Sequence, residues 1–287
     1  MAMKRNQEYK ELFAENRELR RRIQQMEEFL DNKIKISEKL KTRFLSNISH
    51  QVRTPMNAII GFTNLLNDPN LPYEKREEYL DLITDSTEKL LQMFEGMVDM
   101  SLLETGQMKI NQEACYVSRI MVDTYHFFNN EKHRHNKQNI ALLLNNHFED
   151  DNLAIITDTY RLKQILHQLL NNAFKFTEKG VIEFGYALES DNFLHFFVKD
   201  SGRGVLLEKS RTIFECFEKI ENSNDVKELG IGLGLPLCKG ILELLGGKIW
   251  VESNIFRGST FEFTVPCNPA REMKDSPDVF SSKLFIA

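Results

Sequence analysis

The sequence predicts two unlike modules in series. The first is an α-helical hairpin that forms a four-helix bundle in a dimer and is preceded by a coiled coil; the second is an α/β two-layer sandwich. Three observations carry this. Apolar residues keep heptad spacing over residues 4–34, step by three and four from Leu45 to Met97, and alternate in short runs beyond residue 139.

In the first segment Tyr9, Leu12, Leu19, Ile23, Met26 and Leu30 fall on a and d positions, and Asn16 occupies an a position. A buried Asn fixes register and favours two parallel strands, and the charged opposite face argues against a single helix resting on a domain. The phase shifts near Ile34 and Ile36, as at a stutter. A second stripe runs Leu45, Ile48, Val52, Pro55, Ile59, Phe62, Leu66, and "NDPNLPYEK" then makes a turn with two prolines. The third stripe is Leu80, Ile83, Thr87, Leu90, Phe94, Met97. One hairpin cannot cover both stripes, so the segment calls for a homodimer.

After "LETGQMKINQEA" the period changes. A helix is expected over about 117–131, strands at "NIALLL" and "LAIIT", and a helix at 159–176. Strands "VIEFGYAL" and "FLHFFVKD", a helix at 234–245, and strands "KIWVES" and "STFEFTVP" complete the sandwich, with Phe261, Phe263 and Val265 on one face. The expected boundaries are 1–36 for the coiled coil, 37–106 for the hairpin, 107–267 for the sandwich and 268–287 for a linker and tail.

Composition narrows the function. A net charge of -5 argues against a nucleic-acid partner, which would demand a basic excess. The four cysteines have no CxxC spacing, so a zinc site or disulfide framework is not expected and a reducing, cytoplasmic setting fits. No run of about 18 apolar residues occurs, so no direct membrane contact is expected of these residues. They read as the soluble part of something longer. "EKHRHNKQN" sets His133 near His135, with His126 a helix-length back, but HxH in a polar loop is more often merely solvated.

His50, in "FLSNISHQVRTPMNAIIG", lies about 200° around the helix from Ile48 and Val52 and so faces away from the apolar stripe, with Thr54, Asn57 and Gly61. Pro55 removes a donor to the Gln51 carbonyl, so a bend is expected one turn beyond. That suits chemistry with a mobile partner, and it equally describes an ordinary surface histidine.

Four later motifs stand in order. In "DTYRLKQILHQLLNNAFKFT", Gln168, Asn172 and Lys175 share a helix face, where two carbonyl oxygens and an ammonium could hold a hard cation and polyphosphate; the plain alternative is a polar helix surface. "DSGRG" puts Asp200 after a strand, able to accept from an adenine amine, though alone it is a turn. "GIGLGL" opens a helix whose amides can cradle phosphate, and "GSTFEFTVP" is a closing strand with little chemistry of its own. Between the second and third, "IFECFEKIENSNDVKEL" starts apolar and turns polar, as a lid over nucleotide would, and Lys227 could reach phosphate from it. Singly these are weak or moderate signals; their order and spacing are strong.

Over about 40–267 the sequence resembles the sensor histidine kinases of two-component signalling, with "SHQVRTP" similar to the phospho-acceptor motif. The resemblance implies an ATP-dependent, Mg2+-requiring protein histidine kinase and a response-regulator receiver domain as partner. It implies that His50 is phosphorylated, Asn172 ligates magnesium with Gln168 near it, Lys175 contacts phosphate, Phe176 packs near the base and Asp200 reads adenine. Gly202, Gly204, Gly230, Gly232 and Gly234 would shape the pocket and lid hinges, and Thr54 would position water in a phosphatase reaction. Three residues depart from the family's pattern. Gln51 replaces the acidic neighbour of the histidine, Gln168 stands where a second asparagine is common, and Leu229 replaces a frequent glycine. Gln51 accepts a hydrogen bond but carries no charge, so it also motivates a second reading, a nucleotide-binding scaffold or phosphatase with weak autokinase activity. An ATPase of the gyrase or chaperone kind would leave the hairpin and His50 unexplained. The tail "SSKLFIA" resembles the first strand of a receiver domain and hints at a hybrid kinase, against the alternative of an ordinary terminal strand or disordered tail.

Overall fold

A computed structural model describes residues 21, 22, 24, 26, 46, 48–134, 137–146, 153–189, 192–210, 212–215, 232–254 and 258–268. The coiled-coil register over 4–34, the lid with Lys227, Leu229 and Gly230, His135, and the tail "SSKLFIA" lie outside the described residues or almost wholly so. The chain divides into two compact units, residues 1–90 and 91–287.

The first unit holds helix α1 (48–65) and the first part of helix α2 (Tyr73–Glu104). The three-and-four stepping of α1 produces one covered face: Pro55 is buried, and Ile48, Val52, Ile59, Phe62 and Leu66 are half-buried. His50, Thr54, Asn57 and Gly61 are exposed, as their helical phase requires. Pro55 sits within the assigned helix. The two helices meet through Phe62 and Tyr79, whose ring centroids are 5.4 Å apart. On α2, Ile83 and Leu90 are half-buried while Leu80 keeps 49% of its surface. The apolar stripe is therefore wider than the partner helix can cover.

The second unit is a two-layer sandwich. After α2 come β1 (Glu113–Tyr116), α3 (Val117–Arg134), β2 (Ile140–Asn146), β3 (Ala154–Thr157), α4 (Thr159–Phe176), β4 (Gly180–Leu188) and β5 (Phe193–Asp200). Two short 3-10 turns precede α5 (Gly234–Leu245), β6 (Lys248–Asn254) and β7 (Gly258–Pro266). The main sheet has strand order β2-β4-β5-β7-β6, with β2 and β4 parallel and the other neighbours antiparallel. The expected helices and strands are present; β1, which pairs with β3, is an addition. Its four residues send only Cys115 into the core, too little alternation for a sequence signal.

One sheet face makes the core. Ile182, Phe184, Tyr186, Leu194, Phe196, Val198, Phe261, Phe263 and Val265 are all buried, and Phe196 stacks on Phe263 at 4.7 Å. Against them α4 sets Leu162, Ile165, Leu166, Leu169 and Leu170, and α5 sets Ile241 and Leu242, each fully covered. Each such side chain stabilises the fold by about 1.5–3 kcal/mol. The opposite face of α4 is thereby turned outward, and that face carries Gln168, Asn172 and Lys175, all half-buried.

Two devices set where α4 begins and ends. Asp158 is its N-cap, accepting from the Arg161 amide at 3.0 Å and from the Asn111 amide at 2.8 Å. At the other end the Lys137 ammonium donates to the Phe174 carbonyl, satisfying an acceptor of the last turn. The end of α2 is held to α4 by a polar cluster. Arg161 pairs with Asp99 at 2.9 Å, and Gln164 donates to the same carboxylate at 2.7 Å while accepting from Arg161 at 2.8 Å.

Candidate active site

Of the expected nucleotide residues, Asn172, Phe176, Asp200 and Gly204 line one cleft at the outward edge of α4. Asn172 and Phe176 come from α4, Asp200 from the end of β5, and Arg203, Gly204 and Val205 from the turn after it. Ile213, Leu235, Ser259 and Phe261 complete the wall, which is mainly apolar. Asp200 meets Asn172 and Phe176, 28 and 24 positions before it, because β5 runs beneath α4 and delivers its last residue beside the final helical turn.

Asp200 is 7% exposed. Burial pushes its carboxyl above the ordinary value of 3.8, and backbone donors at Gly202 and Ser259 pull partly against that shift. Gly202 donates to Asp200 Oδ1 at 2.8 Å. A desolvated acceptor in an apolar slot suits an amine donor on a flat ring, so the residues present fit an adenine base.

Two glycines are required by close approach. A Cβ at Gly202 would overlap the Phe176 carbonyl oxygen and stand 2.8 Å from Asp200 Oδ1. A Cβ at Gly234, the first residue of α5, would collide with the Gln168 side chain, 2.9 Å from its Cγ. The amide of Gln168 thus packs against the start of α5. Gly204 and Gly232 both sit at positive φ, 75° and 78°, in the turns that flank the cleft.

Lys175 and Phe176 lie together at the end of α4, with the Lys175 ammonium 5.4 Å from the Phe176 ring centroid. The Arg203 guanidinium lies over the same ring at 4.4 Å. Sequence reasoning assigned no role to Arg203, Ser259 or Phe261. The closing strand, with little chemistry of its own in the sequence, supplies Ser259 and Phe261 to the cleft wall. The alternation of β7 was legible, but which inward residues end beside Asp200 depends on the β5–β7 register, where Asp200 faces Ser259.

On α1, described separately, His50 is exposed and Gln51 half-buried. The Thr54 hydroxyl donates to the His50 carbonyl at 3.2 Å, a back-bond one turn long. No group of three or more His, Cys, Asp or Glu among the described residues could hold a metal, and no described helix is long and apolar enough to cross a membrane.

A carboxylate at the foot of an apolar cleft, flanked by the Asn-Lys-Phe end of a helix on a mixed five-stranded sheet, defines a nucleotide-binding α/β unit. Comparison with known proteins places it more closely. Residues 157–269 match the histidine kinase-, DNA gyrase B- and HSP90-like ATPase family, and residues 40–106 match the His Kinase A (phospho-acceptor) domain. The sensor protein GacS of Pseudomonas syringae pv. syringae is 33% identical over 241 residues, covering 83% of this chain and 26% of that protein. The aerobic respiration control sensor protein ArcB of Escherichia coli K12 is 31% identical over 244 residues, covering 83% of this chain and 30% of that one. The crystal structure of full-length ShkA in complex with AMPPNP is similar at TM-score 0.59 and 25% identity, over 81% of this chain and 46% of that one. Histidine kinase ThkA in complex with the response regulator protein TrrA shares the fold at TM-score 0.57 and 23% identity, over 80% and 63%.

The chain belongs to the sensor histidine kinases, with a phospho-acceptor helical region followed by a family ATPase domain. It spans under a third of the length of the GacS and ArcB sensors.

Proposed function

We propose that this chain binds ATP in the Asp200 cleft, is phosphorylated on His50, and passes the phosphoryl group to an aspartate of a receiver domain. The observation that carries the first step is the desolvated Asp200 carboxyl in an apolar slot beside Asn172 and Phe176. The similarity to ShkA, solved with AMPPNP, supports the same assignment.

In this reading Asp200 accepts from the adenine amine while Gly202 holds its other lone pairs in place. Phe176 packs near the base, and Gly204, Gly230, Gly232 and Gly234 shape the pocket and the hinges of the covering segment. Lys175 and Lys227 contact the phosphates. Asn172, with Gln168 near it, would hold Mg2+, which neutralises phosphate charge when bound. A ring nitrogen of His50 attacks the γ-phosphorus, a nitrogen–phosphorus bond forms, ADP leaves with the bonding electrons, and the proton of the other ring nitrogen passes to solvent. A receiver carboxylate then attacks the same phosphorus and imidazole departs. Gln51 orients the imidazole without adding charge, and Thr54 positions water for the reverse, phosphatase reaction once its back-bond to His50 is given up.

The hairpin acts as a homodimer. Met56, Ile60, Leu65, Leu80, Leu91, Phe94 and Val98 keep 44–58% of their surface exposed in the single chain, an apolar area that a second copy would bury. The working boundaries remain 1–36, 37–106, 107–267 and 268–287, and the setting is cytoplasmic with a response regulator as partner. The likenesses to GacS, ArcB and the ThkA–TrrA complex support that partner.

Incubation with γ-labelled ATP and Mg2+ tests the reading. Acid-labile, alkali-stable label that disappears in His50→Ala is expected; a chain that stays unlabelled at every enzyme concentration sinks it.

A further inference from the structure

Two cations share one ring at the mouth of the cleft. The Lys175 ammonium is 5.4 Å from the Phe176 centroid and the Arg203 guanidinium carbon 4.4 Å from it. Their charges therefore stand no more than about 10 Å apart, roughly one Debye length at 0.1 M salt. Arg203 is exposed, lines the cleft with Asn172 and Asp200, and makes no ion pair with a carboxylate among the described residues.

A guanidinium with no carboxylate beside it attracts an anion that enters the cleft. The guanidinium carbon lies over the Phe176 ring, and no hydrogen bond of the guanidinium to another side chain is present among the described residues. The planar N–H fork of a guanidinium matches two oxygens of a phosphate. Flanking glycines at 202 and 204 leave the Arg203 side chain without neighbouring Cβ atoms to turn it aside.

We propose that Arg203 is a nucleotide-binding residue: set over Phe176 near Lys175, it supplies a further cationic contact to the phosphate chain of ATP. This rests on the cleft being the ATP site. The alternative role for Arg203 is to prop the Phe176 ring, which would affect any adenine ligand equally.

Equilibrium binding of ATP, ADP and adenosine to the whole chain separates the two. Arg203→Met keeps an apolar stem over the ring and removes the charge; Arg203→Lys keeps the charge and loses the planar edge. Arg203→Met should weaken ATP by roughly ten- to a hundred-fold, as for loss of a charge-assisted hydrogen bond, and adenosine by less than about two-fold. Arg203→Lys should fall between Met and wild type for ATP, and the ATP loss should shrink as salt is raised. Equal losses for ATP and adenosine, or no loss for either, would overturn the assignment while leaving the ATP site in place. A wild-type chain that binds none of the three overturns both.

Discussion

The backbone amide of Gly202 donates to Asp200 Oδ1 at 2.8 Å, so the residue that closes the turn also orients the carboxylate at the foot of the cleft. Asparagine at position 200 cannot serve both neighbours. If its oxygen accepts from Gly202, its amino group faces the adenine amine. Asp200→Asn should therefore weaken ATP binding by about ten- to a hundred-fold, measurable by calorimetry.

The same substitution should change the pH dependence of stability. Burial raises the folded-state value of Asp200 above the ordinary 3.8. Between 3.8 and that raised value the folded chain holds more protons than the unfolded chain. Its stability is thus present below 3.8 and is lost as pH rises through the folded value. Urea unfolding from pH 4 to 7 should show a downward step in the wild type that Asp200→Asn lacks. Parallel pH profiles for the two proteins would refute this.

Asp99 and Arg161, each with a side chain only 12% exposed, hold the end of α2 against α4 with Gln164. Asp99→Ala leaves a guanidinium nearly buried without its counter-charge and should cost about 3 kcal/mol in urea unfolding. Asp99→Asn keeps hydrogen-bond acceptance from one partner and should cost less. Arg161→Ala combined with Asp99→Ala should be less destabilising than the sum of the single changes.

Gly234 and Gln168 test a contact that links α4 to α5. Gly234→Ala pushes a Cβ into a flexible side chain, whereas Gly202→Ala pushes one into the Phe176 backbone. The melting temperature should therefore fall further for Gly202→Ala. Adding Gln168→Ala should recover most of the Gly234→Ala loss and none of the Gly202→Ala loss.

Gln51→Glu restores the charge that the family's usual residue carries beside the histidine. The initial rate of His50 labelling should rise, by about 10²-fold if the whole electrostatic or general-base contribution returns. An unchanged rate would remove Gln51 as the limiting residue.

Local periodicity was enough to place most elements. The 3.6-residue stepping of α1 put Pro55 inside and His50 outside, and the leucine and isoleucine spacing of α4 turned Asn172 and Lys175 toward one side. These are properties of a single helix, decided by where apolar residues recur. The ordered motifs pointed to the family, because each glycine and acidic residue answers to a turn or helix end within a few positions.

What required the tertiary structure was every relation between segments distant in the chain. β1 has one inward residue and becomes a strand only because β3 pairs with it. The Asp99–Arg161–Gln164 cluster joins polar residues 62 and 65 positions apart, each ordinary on its own helix. Ser259 and Phe261 reach the cleft through the strand register beside Asp200. Arg203 looked like a turn residue until folding set it over Phe176. Sequence determined which faces are apolar, since that is a matter of spacing along one element. Only the packed fold decided which polar groups meet, since that depends on register and on which helix end lies over which strand.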